Sequence, residues 1–137
     1  DVVWDLANLP LPFLDNSFDE IHAYEVLEHV GQQGDWRFFF DQFADFWRIL
    51  KPEGILAGMC PAWNSVWAWG DPSHTRVIQP EQFAFLNQRQ YTVQVGKTAM
   101  SDFRHCYRAD FEPTYLNTVD GTFSFVLQAI KPSRISI

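Results

Sequence analysis

Cysteine is scarce: Cys60 and Cys106 stand 46 positions apart and form no C-x-x-C pair. This excludes a disulfide-dense scaffold and reads as two reduced thiols, the ordinary state in a cytoplasmic chain. Long apolar runs are missing as well. None approaches the roughly 18 residues a membrane span needs, and no signal peptide is recognisable. Positive charge is in short supply, with 10 Lys and Arg against 17 Asp and Glu and a formal charge of −7. That balance argues against a nucleic-acid backbone as the main partner. The seven glycines form no G-x-G-x-G. Four histidines form no cluster along the sequence and His105-Cys106 lacks ligand spacing, so the expected metal content is none. Repeats, low-complexity tracts and interdomain linkers are also lacking.

What is present is apolar and aromatic. Hydrophobic residues make up 47% and aromatics 17% of the 137 residues, enough for one folded domain spanning 1–137. The informative stretch is Leu9–Val30, LPLPFLDNSFDEIHAYEVLEHV. Pro10 and Pro12 bias the backbone before them toward extended conformations, and Asp15-Asn16-Ser17 is a turn cluster. Glu20–Tyr24 reads as a short buried strand feeding a helix that starts near Val26. Glu25, Glu28 and His29 gather at this strand-to-helix junction, where open α/β sheets place ligands.

The string LPF-x-DNSFD-x-I followed by VLEHV, and then Arg48-Ile49-Leu50-Lys51-Pro52-Glu53-Gly54, resembles the second half of class I S-adenosylmethionine-dependent methyltransferases. The resemblance covers about Asp1–Pro61. It implies an α/β, Rossmann-like methyltransferase sheet, N-terminally truncated, that ends in an antiparallel β-hairpin. It also implies S-adenosyl-L-methionine as cofactor, with Asp5 accepting from the adenine amino group and the Leu6 N–H meeting a ring nitrogen. Tyr24 and Glu25 would face the methionine part. The Gly-rich cofactor loop of such enzymes would lie upstream of Asp1, and this chain opens inside a strand-like run without an initiator methionine, as a fragment or processed product does. A glycine usual in the second motif is replaced by Glu53.

Along the rest of the chain, Asp1–Leu6 has strand composition. A plainer reading of Asp5 is a solvated loop carboxylate capping Asn8 or Leu9. Gly31–Gly34 is a loop and Asp35 a good N-cap. Trp36, Phe39, Phe40, Phe43, Phe46, Trp47 and Leu50 form one apolar helical stripe, which Lys51-Pro52-Glu53-Gly54 stops. Ile55–Cys60 is a second buried strand ended by Pro61. Residues 62–76 are irregular, with Trp63, Trp67, Trp69, Asp71, His74 and Arg76. After a parallel strand such a loop carries function: Trp63 and Trp67 would wall an acceptor pocket, and Asp71 and His74 would orient or deprotonate the acceptor. Alternatively Asp71-Pro72-Ser73 is a turn and the tryptophans plug the sheet edge. His29 is the proton-exchanging residue type of the junction, or a packing residue of its helix. Pro80 opens a helix to about Gln88, Tyr91–Val95 alternates as a strand, and Tyr115–Val119, Asp120-Gly121 and Thr122–Ile130 read as a hairpin with a type I′ turn.

Three functions fit these patterns. The leading expectation is methyl transfer to a small-molecule or macromolecular acceptor with catalytic candidates His29, Asp71 and His74. A non-catalytic methyltransferase-like domain is the rival, because no glycine loop lets backbone approach the cofactor closely. Such a chain would bind cofactor weakly and could self-associate through an uncovered sheet edge. A nicotinamide-dependent Rossmann dehydrogenase would share the sheet but not the two motifs.

Overall fold

In the computed structural model, which describes residues 1–137, Phe18–Tyr24 forms strand β1 and a 3-10 turn follows at Leu27–His29. Helix α1 runs Trp36–Ile49 and passes straight into β2, Leu50–Pro61. A short helix α2, Val66–Gly70, a 3-10 segment Pro80–Leu86 and α3, Gln88–Gln94, lead to β3, Phe111–Val119, and β4, Thr122–Ala129. The sheet order is β1-β2-β4-β3, with β1 parallel to β2 and the other pairs antiparallel. This is the mixed α/β sheet with a terminal hairpin expected from the sequence. No helix is long and apolar enough to cross a membrane.

The aromatic stripe of α1 behaves as its spacing predicts. The Asp35 carboxylate accepts the Phe38 N–H at 3.2 Å and starts the helix, and Phe40, Phe43, Phe46 and Ile49 are buried. They meet Leu56 and Cys60 of β2 and Phe123, Phe125 and Leu127 of β4 in one core. On β4 the buried residues alternate strictly with half-buried ones, so one face of the sheet carries the core. Along β1 the outward face is Glu20, His22 and Tyr24, joined by hydrogen bonds of 2.9 and 3.2 Å through the two ring nitrogens of His22.

The second motif ends the helix earlier than expected. The chain turns extended at Leu50, and residues 51–54 form an irregularity in β2 where Phe18 pairs with Leu50 but Glu20 pairs with Ile55. Glu53 sits there with φ 67°, a left-handed conformation that favours glycine. A glycine at this position in the resembling motif therefore has a backbone reason.

Other sequence expectations fail. The helix expected to start near Val26 is only the 3-10 turn Leu27–His29, because the chain turns extended again at Val30. The Glu20–Tyr24 strand is an edge strand with most of its residues exposed, not a buried one. Asp1–Leu6 is not a strand: the Asp5 carboxylate accepts the Ala7 N–H at 2.9 Å and the Asp5 carbonyl accepts the Asn8 N–H at 2.9 Å. β-branched composition makes no strand where no neighbour supplies a ladder, and the local turn bond wins. Tyr91–Val95 lies mostly in α3, not in a strand. The Asn87 side chain caps the helix by accepting the Arg89 N–H, and the buried Tyr91 hydroxyl donates to the Phe85 carbonyl at 2.7 Å. Alternation over so short a run cannot distinguish the two periods. The helix begun at Pro80 is 3-10 throughout and stops at Leu86. The hairpin is as read, with Asp120 and Gly121 at φ 52° and 77°, as a type I′ turn requires.

Candidate functional site

Two parallel strands end side by side at Tyr24 and Pro61, and the loops leaving them close around a cleft of about 410 Å³. Its lining includes Glu25, His29, Ser65, Trp67, Asp71 and His74, and the hairpin turn Asp120–Thr122 closes it from the far side. Glu25 sits at φ 57° as its N–H reaches across to the Met59 carbonyl at 2.8 Å. A non-glycine residue held left-handed at the end of a strand is a local strain placed at the cleft mouth. Three carboxylates line the cleft, those of Glu25, Asp71 and Asp120, and no lysine or arginine does. The space favours positive charge.

The loop after β2 brings its polar residues to the junction after β1. Thr75 N–H donates to the Glu28 carbonyl at 2.9 Å, and Arg76 Nε donates to the Leu27 carbonyl at 2.8 Å. Arg76 is buried against α1, where its Nη2 also donates to the Gln42 side chain. This docking sets His74 against His29, with ring centroids 4.7 Å apart and edge to face. The expectation that the histidines form no cluster is therefore corrected: two residues 45 apart in sequence are brought into contact by the loop.

Each imidazole is oriented by a backbone carbonyl. His74 Nδ1 lies 2.6 Å from the Trp67 carbonyl and His29 Nδ1 lies 3.2 Å from the Ser73 carbonyl. A carbonyl only accepts, so each Nδ1 carries the proton and each neutral ring has its lone pair on Nε2. His74 Nε2 is 3.7 Å from Asp71 Oδ2. Asp71 Oδ1 accepts from both the Ser73 N–H and hydroxyl, at 2.9 and 2.6 Å. Those bonds hold the Asp71 carboxyl below the usual carboxylate range. The turn reading of Asp71-Pro72-Ser73 and the functional reading describe the same geometry.

Glu28, which the sequence places at the junction without a role of its own, is the buried carboxyl of the group. It is 2% exposed, and neither carboxyl oxygen has a hydrogen-bond partner. Burial, and then the neighbouring Glu25 carboxyl, push it up to about 7. The groups around it are Glu25, His29, Cys60 and Arg76. The folded state holds a proton that the unfolded chain releases from about 4.5 upward, so stability falls as pH rises from about 4.5 to 7 and the loss is complete above that. Glu28→Gln should abolish this slope in urea titrations and leave the protein more stable than wild type at pH 8. The gain is on the order of 1–2 kcal/mol, discounted for the solvent-open cleft nearby. A slope unchanged by the substitution would assign it to another group. The only sequence signal was a Glu-His pair at a strand end.

The other sequence candidates lie apart from this group. Asp5 and Leu6 belong to the turn before the proline loop, outside the cleft lining; one Asp5 oxygen and the Leu6 N–H have no hydrogen bond. Tyr24 turns along the outer face of β1 toward His22. Trp67 lines the cleft, whereas Trp63 is exposed without lining it. Cys60 is buried in the core and its thiol is pushed up to about 12 by burial, which excludes it as a nucleophile. A second hollow, of about 200 Å³, lies between α1 and the Pro80–Leu86 segment and is lined mainly by Trp36, Phe39, Phe40, Phe85 and Phe103.

Comparison with known proteins agrees with this architecture. A family described as a methyltransferase domain matches residues 2–58. A Haloferax volcanii methyltransferase, solved in complex with an activator protein, is similar at 17% identity and TM-score 0.53, over 94% of this chain and 61% of that one. A SAM-dependent methyltransferase from Archaeoglobus fulgidus is similar at 12% identity and TM-score 0.56, over 93% and 66%. The [4+2]-cyclase SpnF is similar at 16% identity and TM-score 0.56, over 94% and 55%. The chain thus spans between half and two thirds of the length of these proteins. No curated protein matches the sequence. Residues 2–58 thus match the methyltransferase-domain family, and the chain as a whole carries the Rossmann-like sheet of these methyltransferase structures.

Proposed function

We propose that this methyltransferase-like domain uses S-adenosylmethionine to methylate a nucleophile held in the cleft between Glu25, His29, Asp71 and His74. The observation that carries the reading is the cleft itself: an acidic, cation-favouring space at the carboxyl ends of two parallel strands, where open α/β sheets bind ligands. The residues present also suit the nucleoside. The Asp5 oxygen without a partner accepts from an exocyclic amine, and the adjacent unpaired Leu6 N–H donates to a ring nitrogen.

When bound, the cofactor supplies an electrophilic methyl group on a sulfonium, which departs as a neutral thioether. Alignment provides most of the rate of such an in-line displacement. The work left to the protein is to place the acceptor and remove its proton. Trp67 forms one wall, while His29 and His74 present Nε2 lone pairs to the space. An acceptor proton moves to one of these nitrogens, and for His74 the ionised Asp71 stabilises the imidazolium that forms. Acidic lining also opposes ionised carboxylate or phosphate acceptors.

The fold does not by itself determine the reaction, since one structural relative is a [4+2]-cyclase. Isothermal titration of S-adenosylhomocysteine into the protein tests the proposal. The expected result is saturable binding that weakens about tenfold or more in Asp5→Ala, the loss of a charged hydrogen-bond acceptor. Absence of binding by a chain that unfolds cooperatively, or binding indifferent to Asp5→Ala, overturns it.

A further inference from the structure

We propose that Glu28, His29 and His74, joined by Asp71, form a site for a divalent transition-metal cation where the buried Glu28 meets the cleft-lining His29, Asp71 and His74. One ligand atom from each of Glu28, His29 and His74 lies within 4.8 Å of the other two. Around a tetrahedral ion with bonds of about 2.0–2.1 Å, ligand atoms stand roughly 3.3 Å apart. Closing the set therefore takes side-chain rotations of about an ångström or less per group.

Three independent features point to a cation. Glu28 is nine-tenths and more buried and neither oxygen receives a hydrogen bond from a donor group, its side-chain neighbour being another carboxyl, Glu25, in an interior where such groups are normally satisfied. The buried Arg76 guanidinium, which interacts with Glu28 through charge, is engaged by the Leu27 carbonyl and the Gln42 side chain. Second, both imidazoles donate Nδ1–H to backbone carbonyls, the arrangement that orients a metal-binding histidine and leaves Nε2 as the ligand. Third, Asp71 Oδ1 is held by Ser73 while Oδ2 stands free beside His74 Nε2, as a further ligand or as an outer partner. Two imidazoles with carboxylates select zinc, manganese, iron or cobalt over magnesium or calcium. Positions toward the cleft stay open for an exchangeable oxygen.

The existence of this site is independent of methyl transfer, but its role rests on the reading above. An acceptor hydroxyl bound to the cation loses its proton at lower pH, so the ion replaces the imidazoles as the means of activation. The acceptor class is then a phenol or enol oxygen: its proton would leave to solvent through the open cleft, and the oxygen would form its bond to the methyl carbon as the carbon–sulfur bond breaks and the neutral thioether departs.

The test uses the intact chain, stripped with chelator and titrated with Co²⁺ as a spectroscopic probe, then with Zn²⁺ as competitor. The expected result is uptake of one equivalent with d–d absorption of nitrogen and oxygen coordination, displacement by Zn²⁺, and a raised thermal midpoint. His29→Ala, an exposed position, and Glu28→Gln, which leaves no partner unbonded, should each weaken uptake by about tenfold or more while circular dichroism stays unchanged. No uptake by wild type, or equal uptake in both variants, overturns the site. S-adenosylhomocysteine binding measured on the stripped protein separates the two proposals. Its failure with Co²⁺ uptake intact overturns methyl transfer and leaves the cation site.

Discussion

Arg48→Ala is expected to cost about 3 kcal/mol of stability and to release the loop Leu9–Asp15 from the helix. Arg48 lies on α1, yet its guanidinium serves the loop before β1. Nη1 donates to the Phe13 carbonyl at 2.7 Å and to Asp15 Oδ1 at 3.0 Å, and Nη2 donates to the Leu11 carbonyl at 3.1 Å. Nε holds Asp45 at 2.7 Å, and the second Asp45 oxygen accepts the buried Leu11 N–H at 2.7 Å. Removing Arg48 leaves the Phe13 carbonyl without a donor, the Leu11 carbonyl with the Phe13 N–H alone, and the largely buried Asp45 charge held only by the Leu11 N–H. Arg48→Lys should recover little, because a point ammonium cannot serve these directions at once. Urea unfolding measures the cost. Hydrogen exchange should show fast amides confined first to residues 9–15. A loss below about 1 kcal/mol would mean that the proline-rich loop holds its shape alone.

Gly58→Ala is expected to cost about 2–3 kcal/mol despite adding one methyl group. Gly58 on β2 pairs directly with Phe125 on β4, and a Cβ there would stand 2.2 Å from the ring's Cζ. The ring cannot swing away freely: Phe83 lies 4.8 Å and Phe123 5.5 Å from it, centroid to centroid, and all three are buried. Phe125→Leu should be destabilising alone, through the space it leaves, but should partly rescue Gly58→Ala. A double-mutant cycle reads the contact as a favourable coupling of about 1 kcal/mol or more. Strict additivity would show that the strand, not the ring, absorbs the added methyl.

These two predictions rest on contacts that a linear reading could not supply, yet their participants were visible in part. The two motifs, one before β1 and one at the end of α1, were recognised as separate strings; Arg48 is the physical tie between them. The stripe of α1, the strands β1 and β2 and the Asp-Gly hairpin were legible because period and turn chemistry are local properties. The strand assigned to Asp1–Leu6 failed because pairing is not local: extended composition needs a neighbour. Tyr91–Val95 failed because a side-chain cap and one buried tyrosine outweighed a short alternation.

The candidate site divides in the same way. His29, Asp71 and His74 were legible as residue types suited to chemistry, on a strand end and on a tryptophan-rich loop. Their convergence was not, because nothing in sequence spacing places residue 74 against residue 29. Glu28 was hidden for a related reason, since an ionisable side chain at a strand end is ordinarily solvated and only packing withdraws it from water. Sequence by itself determined the sheet class, the core stripe, the hairpin and the acidic character of the chain, because these follow from periodicity, turn preference and charge count. Tertiary structure decided which carboxyl is buried, which nitrogen of each histidine faces the cleft and which arginine holds the loop. Those depend on distances between segments that the docking of the loop after β2 onto the junction after β1 alone sets.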